Sequence, residues 1–216
     1  MTLLRVDSSI RVEGSVSRAV ADTVVDGWRG AVPGGRVVRR DLADGHIGGG
    51  AWANSLAGRA LGERERTGAQ RSAIALATAV ADELAAADSI VVATSLYNFG
   101  VSQHVKAWVD LLITDPRFAP GSAPLTGKPL ALVIARGGGY GPGTPREGWD
   151  HATPWLVRIF QDVLGAEVSV VAAELTLAEV NPAMADLVPL AKQSTAAAHD
   201  LAATTGRAFA DRARVA

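Results

Sequence analysis

Three short stretches carry the residue types that hold small polar molecules. The first is SSIRVEGSVSR, residues 8–18, with Ser9, Ser15 and Ser17 placed where a helical pattern begins. A helix N-terminus offers unpaired backbone N–H groups and a partial positive charge, so added hydroxyls suit a phosphate. Arg11 or Arg18 can add charge there, or can simply point to water. Plain helix capping by serine is the competing reading, and three hydroxyls together tip the balance toward phosphate. No G-x-G-x-x-G follows the first strand, so this is not a dinucleotide fingerprint. A clamp built on serine suits a single phosphate, hence a mononucleotide.

The second stretch is LYNFG, Leu96 to Gly100, at the end of a buried-looking apolar run. Its backbone groups can hydrogen-bond the rim of a flat heterocycle, and Tyr97 and Phe99 can wall it. Asn98 pairs with a polar edge in that reading. Equally, both aromatics are core and Asn98 is a turn residue. The third stretch is RGGGYGPG, residues 136–143, whose glycines permit close backbone approach. Tyr140 covers a ligand there or caps a surface loop.

These stretches need elements to position them. LLRV (3–6), RVVRRDL (36–42), SIVVATS (89–95), PLALVIA (129–135) and EVSVVAAE (167–174) read as five strands. Helical stripes separate them: Val16, Val20, Val24 and Trp28; Ile74, Ala77, Ala81 and Leu84; Val101, Val105, Trp108 and Leu112; then 153–164. HIGGGAWANSLAG reads as a loop with one short helix. Asn181 and Pro182 read as an N-cap and first helical position. The alanine-rich helix after them is expected to be kinked or interrupted at Pro189. Alternating strands and helices predict an α/β fold, a five-stranded parallel sheet with helices on both faces. The three stretches then follow strands one, three and four, at the sheet edge where such folds bind ligands. One domain spanning 1–216 is expected, since no repeat or linker divides the chain.

Composition narrows the function. A net charge of −1 argues against a nucleic-acid surface or an anionic membrane. The absence of cysteine removes disulfides, thiolate catalysis and sulfur metal sites, and is compatible with a cytoplasmic protein. The N-terminus lacks the pattern of a signal peptide, and no apolar run approaches the roughly 20 residues of a membrane span. The histidines (His46, His104, His151, His199) lack ligand-like spacing, so no metal is expected. GSAPLTGKP resembles a phosphate-binding loop, but its spacing is one residue too long and Pro129 follows Lys128. No G-x-S-x-G elbow appears.

The sequence resembles the FMN-dependent NAD(P)H:quinone oxidoreductases known as azoreductases, of three-layer flavodoxin-like fold. The resemblance is carried by SSIRVEGSVSR, SLYNFGVSQHVKAWVDLL, TGKPLALVIARGGGYGPG and DHATPWL, and runs to about Glu174. It implies that Ser9, Ser15, Val16 and Ser17 hold the FMN phosphate. It implies that Leu96, Tyr97, Asn98 and Phe99 line the flavin ring, and that Ala135, Arg136, Gly137 and Gly138 approach from strand four. Many members have serine where this chain has Ala135. Phe118 and Tyr140 are expected at the substrate pocket. NADH or NADPH is the implied donor, a quinone or azo compound the acceptor, and a homodimer the implied assembly. The chemistry is borne by the flavin, so no catalytic side chain is expected. Two other readings stand beside this one. An FMN electron carrier of flavodoxin type turns over nothing, and such carriers are usually strongly acidic. A receiver-like module needs an aspartate after strand three, where this chain has Ser95-Leu96-Tyr97-Asn98.

Overall fold

The computed structural model describes residues 1–212. Five strands form one sheet: β1 (Thr2–Asp7), β2 (Arg36–Asp41), β3 (Ser89–Ser95), β4 (Pro129–Ala135) and β5 (Glu167–Ala173). All pairings are parallel, in the order β2-β1-β3-β4-β5. That is the flavodoxin-like arrangement of a doubly wound sheet. β4 is buried along its whole length and β3 nearly so, because both of their faces are covered. The register sets Asp7 beside Ala93, and Ser95 beside Ala135, so the strand ends that carry the three loops lie side by side. The chain leaves β1 toward β2 and leaves β3 toward β4. Loops diverging in this way open a crevice.

Helices α1 (Val16–Ala31) and α6 (Val188–Arg212) cover one face, around Trp28, Val24, Val91, Val133 and Phe209. Helices α3 (Gly68–Ala86), α4 (Gln103–Leu112) and α5 (Ala152–Val157) cover the other, around Leu84, Trp108, Leu132 and Phe160. The glycine-rich segment supplies α2 (Ala51–Arg59), which packs on α3. The helix expected over 153–164 begins at Ala152 and widens into a π-helical stretch over Arg158–Val163.

Helices α1 and α6 meet backbone to backbone. A Cβ on Gly206 would land on the carbonyl oxygen of Val24 and stand 2.9 Å from the Trp28 nitrogen. One on Gly27 would stand 2.7 Å from the carbonyl oxygen of Ala203. The alanine-rich tail is thus the partner that α1 needs. Pro189 neither kinks nor interrupts this helix. It lies in the first turn, where its missing N–H costs nothing, and Asn181 instead caps a 3₁₀ turn over Pro182–Leu187.

Two inward positions of β1, Arg5 and Asp7, are charged. Arg5 is 1 % exposed and faces α1. Its guanidinium donates to both carboxylate oxygens of Asp7, at 2.8 and 3.0 Å, to Asp22, and to the backbone carbonyl of Arg18 at 3.1 Å. Burying a charge is tolerated only when it is paired and hydrogen-bonded in this way.

Candidate functional site

The serine loop is built from the end of β1. Ser8 is fixed to β3, its N–H donating to the Ala93 carbonyl at 2.9 Å. Gly14 at φ +65° turns the chain into α1, a conformation that favours glycine. Ser15 is the N-cap and accepts from the Arg18 N–H at 3.4 Å. Its hydroxyl lies 3.3 Å from that of Ser17, and Ser9, Ser15 and Ser17 are all buried. The N–H groups of Val16 and Ser17 find no acceptor among the described residues.

The Arg18 side chain turns back onto the protein and is mostly buried. Its guanidinium grips Asp41 at 2.6 and 2.9 Å and donates to the Ser9 carbonyl at 2.9 Å. It therefore holds the loop rather than filling it. The Arg18 hydrogen bonds draw the Asp41 carboxyl below the ordinary aspartate range. A depressed native pKa adds stability above the unfolded value, near pH 4, and that stability fades as pH falls. Asp41 is partly exposed, so the contribution is under about 1 kcal/mol. Asp41→Asn is expected to flatten the acid limb of the stability curve between about pH 5 and 3. Chemical denaturation at several pH values checks this, and an unaltered acid limb would contradict it.

Residues 97–100 fold into a tight reverse turn. Tyr97 and Gly100 exchange backbone hydrogen bonds at 3.2 and 2.9 Å. The two residues between them, Asn98 and Phe99, both have positive φ, 48° and 65°. Asparagine tolerates this conformation, whereas a phenylalanine there is strained. The His151 N–H, donating to the Phe99 carbonyl at 2.9 Å, helps to hold it. The Tyr97 hydroxyl accepts from the Ile10 N–H at 3.2 Å and so stitches the turn to the serine loop. Ser102 caps α4 directly behind the turn.

The glycine loop after β4 is clamped by residues that follow β5. The N–H groups of Leu175, Thr176 and Leu177 donate to the carbonyls of Gly138, Arg136 and Gly137 at 3.1, 3.0 and 3.3 Å. Leu177 packs so closely that a Cβ on Gly137 would stand 2.7 Å from its side chain. The Gly137 N–H keeps no acceptor among the described residues. The Arg136 side chain turns away, pairing with Glu174 at 2.8 Å and Asp150 at 2.9 Å.

These loops enclose a cavity of about 440 Å³. Of the residues singled out from sequence, Ser9, Arg11, Ser15, Val16, Leu96, Tyr97, Ala135 and Gly137 line it. Ser17 lies behind Ser15, while Asn98, Phe99, Arg136 and Gly138 flank the cavity without lining it. Tyr140 and Arg136 face a second, more open cavity of about 520 Å³. Phe118 belongs to neither. It is fully buried among core residues, since the turn over Pro116–Phe118, capped by Asp115, directs its ring inward. Sequence reading also missed Ser95, Ile10, Gly14, Thr176 and Leu177. The sheet-edge argument, extended to the fifth strand, would have found the last two.

The cavity fits a phosphate-bearing flat ring. Its α1 end offers buried hydroxyls and an unpaired N–H, and its far end offers Tyr97, Ala135 and the backbone of Gly137. Lys128 takes no part. Its ammonium group donates to the Leu84 and Ala85 carbonyls at 3.3 and 2.6 Å, at the end of α3, and burial lowers its pKa. Among the described residues no cluster of His, Asp and Glu is placed to hold a metal ion. No helix there is long and apolar enough to cross a membrane.

Comparisons with known proteins agree with this geometry. A family profile described as Flavodoxin-like fold matches residues 1–196. An FMN-dependent NADH:quinone oxidoreductase of Frankia alni is 38 % identical over 201 residues, covering 90 % of this chain and 93 % of the relative. One from Streptomyces avermitilis is 38 % identical over 216 residues, covering 98 % of each. An azoreductase structure from Bacillus anthracis str. Sterne superposes with a TM-score of 0.76 at 22 % identity, covering 96 % of this chain and 99 % of that one. A second B. anthracis structure, an FMN-dependent NADH-azoreductase in complex with FMN, gives 0.72 at 16 % identity, covering 95 % and 99 %. With its β2-β1-β3-β4-β5 sheet and its serine loop at the switch point, the chain belongs to the flavodoxin-like family that includes these NADH:quinone oxidoreductases.

Proposed function

We propose that this protein is an FMN-dependent oxidoreductase that passes reducing equivalents from NADH to quinones and reductively cleaves aromatic azo compounds. One observation carries the reading. A single cavity joins the buried serines at the start of α1 to Leu96, Tyr97 and Gly137. Ser9, Ser15 and Ser17, with the N–H groups of Val16 and Ser17, take the phosphate. Leu96, Tyr97 and the backbone of Gly137 take the ring, with Asn98, Phe99 and Gly138 flanking it. FMN, when bound, supplies two-electron hydride chemistry. The protein orients and shields: Tyr97 fixes the two loops against each other, and Leu177 closes one wall. Ala135 gives the ring an apolar neighbour. The names of the relatives favour turnover over a carrier that only shuttles electrons.

The site works within a homodimer in this reading, supported by the half-exposed Trp52 and Leu56 on α2. NADH is an intracellular reductant, which supports a cytoplasmic location. The test is steady-state NADH oxidation by the FMN-loaded protein with 1,4-benzoquinone. One hydroquinone per NADH is expected, from a species that sediments at twice the chain mass. A protein that retains FMN without turnover would be the electron carrier instead.

A further inference from the structure

Beside the cavity, the reverse turn and the glycine loop share an aromatic cluster. Phe99 meets Trp149 edge to face at 5.3 Å and Tyr140 at 6.4 Å between ring centres. Phe99 and Trp149 are 36 % and 51 % exposed, which is unusual for touching aromatics. Arg146 lies over the Phe99 ring, its guanidinium carbon 5.7 Å from the centroid. It also rests on the glycine loop, since a Cβ on Gly138 would stand 3.3 Å from one guanidinium nitrogen.

This cation has no carboxylate partner among the described residues, and the carboxylates of its surroundings are engaged elsewhere. Glu147 accepts from the Gly143 N–H at 2.8 Å. Asp150 accepts from Arg136, Thr153 and Ala152. Glu174 accepts from Arg136 and from the Tyr140 N–H. The Phe99 ring orients the guanidinium without neutralising it. An unpaired planar cation held beside exposed ring faces is complementary to an aromatic anion: the ring stacks and the anionic group pairs.

We propose that Arg146, seated on Phe99 beside Trp149 and Tyr140, is a specificity determinant that favours aromatic acceptors carrying a sulfonate or carboxylate. This rests on the oxidoreductase reading, because the two loops it bridges are the ones assigned to the ring. The test is equilibrium titration, followed by calorimetry, of the oxidised FMN-loaded protein with naphthalene-2-sulfonate and with neutral naphthalene-2-sulfonamide. The parent is expected to prefer the sulfonate about five- to tenfold, and rising salt should erode the preference. Arg146→Gln should collapse the ratio below about twofold, and Arg146→Lys should keep part of it. No preference in the parent, an undiminished ratio in Arg146→Gln, or equal weakening of both ligands would overturn the proposal. NADH oxidation with neutral 1,4-benzoquinone by the same parent preparation is the separate check. Its absence beside an Arg146-dependent preference would sink the oxidoreductase reading and leave the anion site standing.

Discussion

Gly206→Ala is expected to cost about 3 kcal/mol of folding free energy and to lower the melting temperature by about 6–12 °C. On propensity alone the change should help, because alanine is favoured over glycine inside a helix by about 1 kcal/mol. Geometry reverses the sign. The new methyl group would meet the Val24 carbonyl and the Trp28 nitrogen, which are backbone atoms of α1 and have no rotamer to give. The helices must then separate, and Val24, Trp28, Ala202 and Phe209 lose close packing together. Gly30→Ala is the internal control. It lies on α1 with nothing within 4 Å of an added Cβ, so it should be neutral or slightly stabilising. Thermal and urea denaturation of both variants decides the matter. A Gly206→Ala protein as stable as the parent would mean that the contact between α1 and α6 opens freely.

Ser15→Ala is expected to weaken FMN binding about 10- to 100-fold while changing riboflavin binding less than about threefold. A hydrogen bond to a charged acceptor contributes about 1.5–3 kcal/mol, and every 1.4 kcal/mol is tenfold in affinity. The same hydroxyl caps α1 through the Arg18 N–H, so stability should also fall by about 1 kcal/mol. Riboflavin lacks the phosphate and isolates the effect from the ring end of the cavity. Quenching of flavin fluorescence gives both affinities. Equal losses for the two flavins would place the phosphate away from this loop.

The strands were legible because parallel strands covered on both faces read as unbroken apolar runs, as in SIVVATS and PLALVIA. Their alternation with helices placed three loops at one edge, and seven of the twelve residues proposed for the cofactor line the cavity found there. Long-range pairings were not legible. Nothing local to Arg18 announces Asp41, and although Thr176 and Leu177 follow a strand at the same sheet edge, nothing local announces that the N–H groups of Leu175 to Leu177 will pair with the carbonyls of Arg136 to Gly138. Phe118 misled because an aromatic in a proline-rich connection looks like a rim residue, while the Asp115 cap turns it into the core. Pro189 misled because proline breaks a helix only past its first turn.

The clamp of residues 175–177 on the glycine loop has a consequence for the order of synthesis. A chain grows from its N-terminus, so the serine loop emerges early and waits. The wall made by Thr176 and Leu177 arrives some 160 residues later, and α6, which backs α1, later still. A nascent chain paused anywhere before them presents an open crevice with one side missing. The cradle is therefore expected to close only once these late segments have emerged and folded onto the earlier loops.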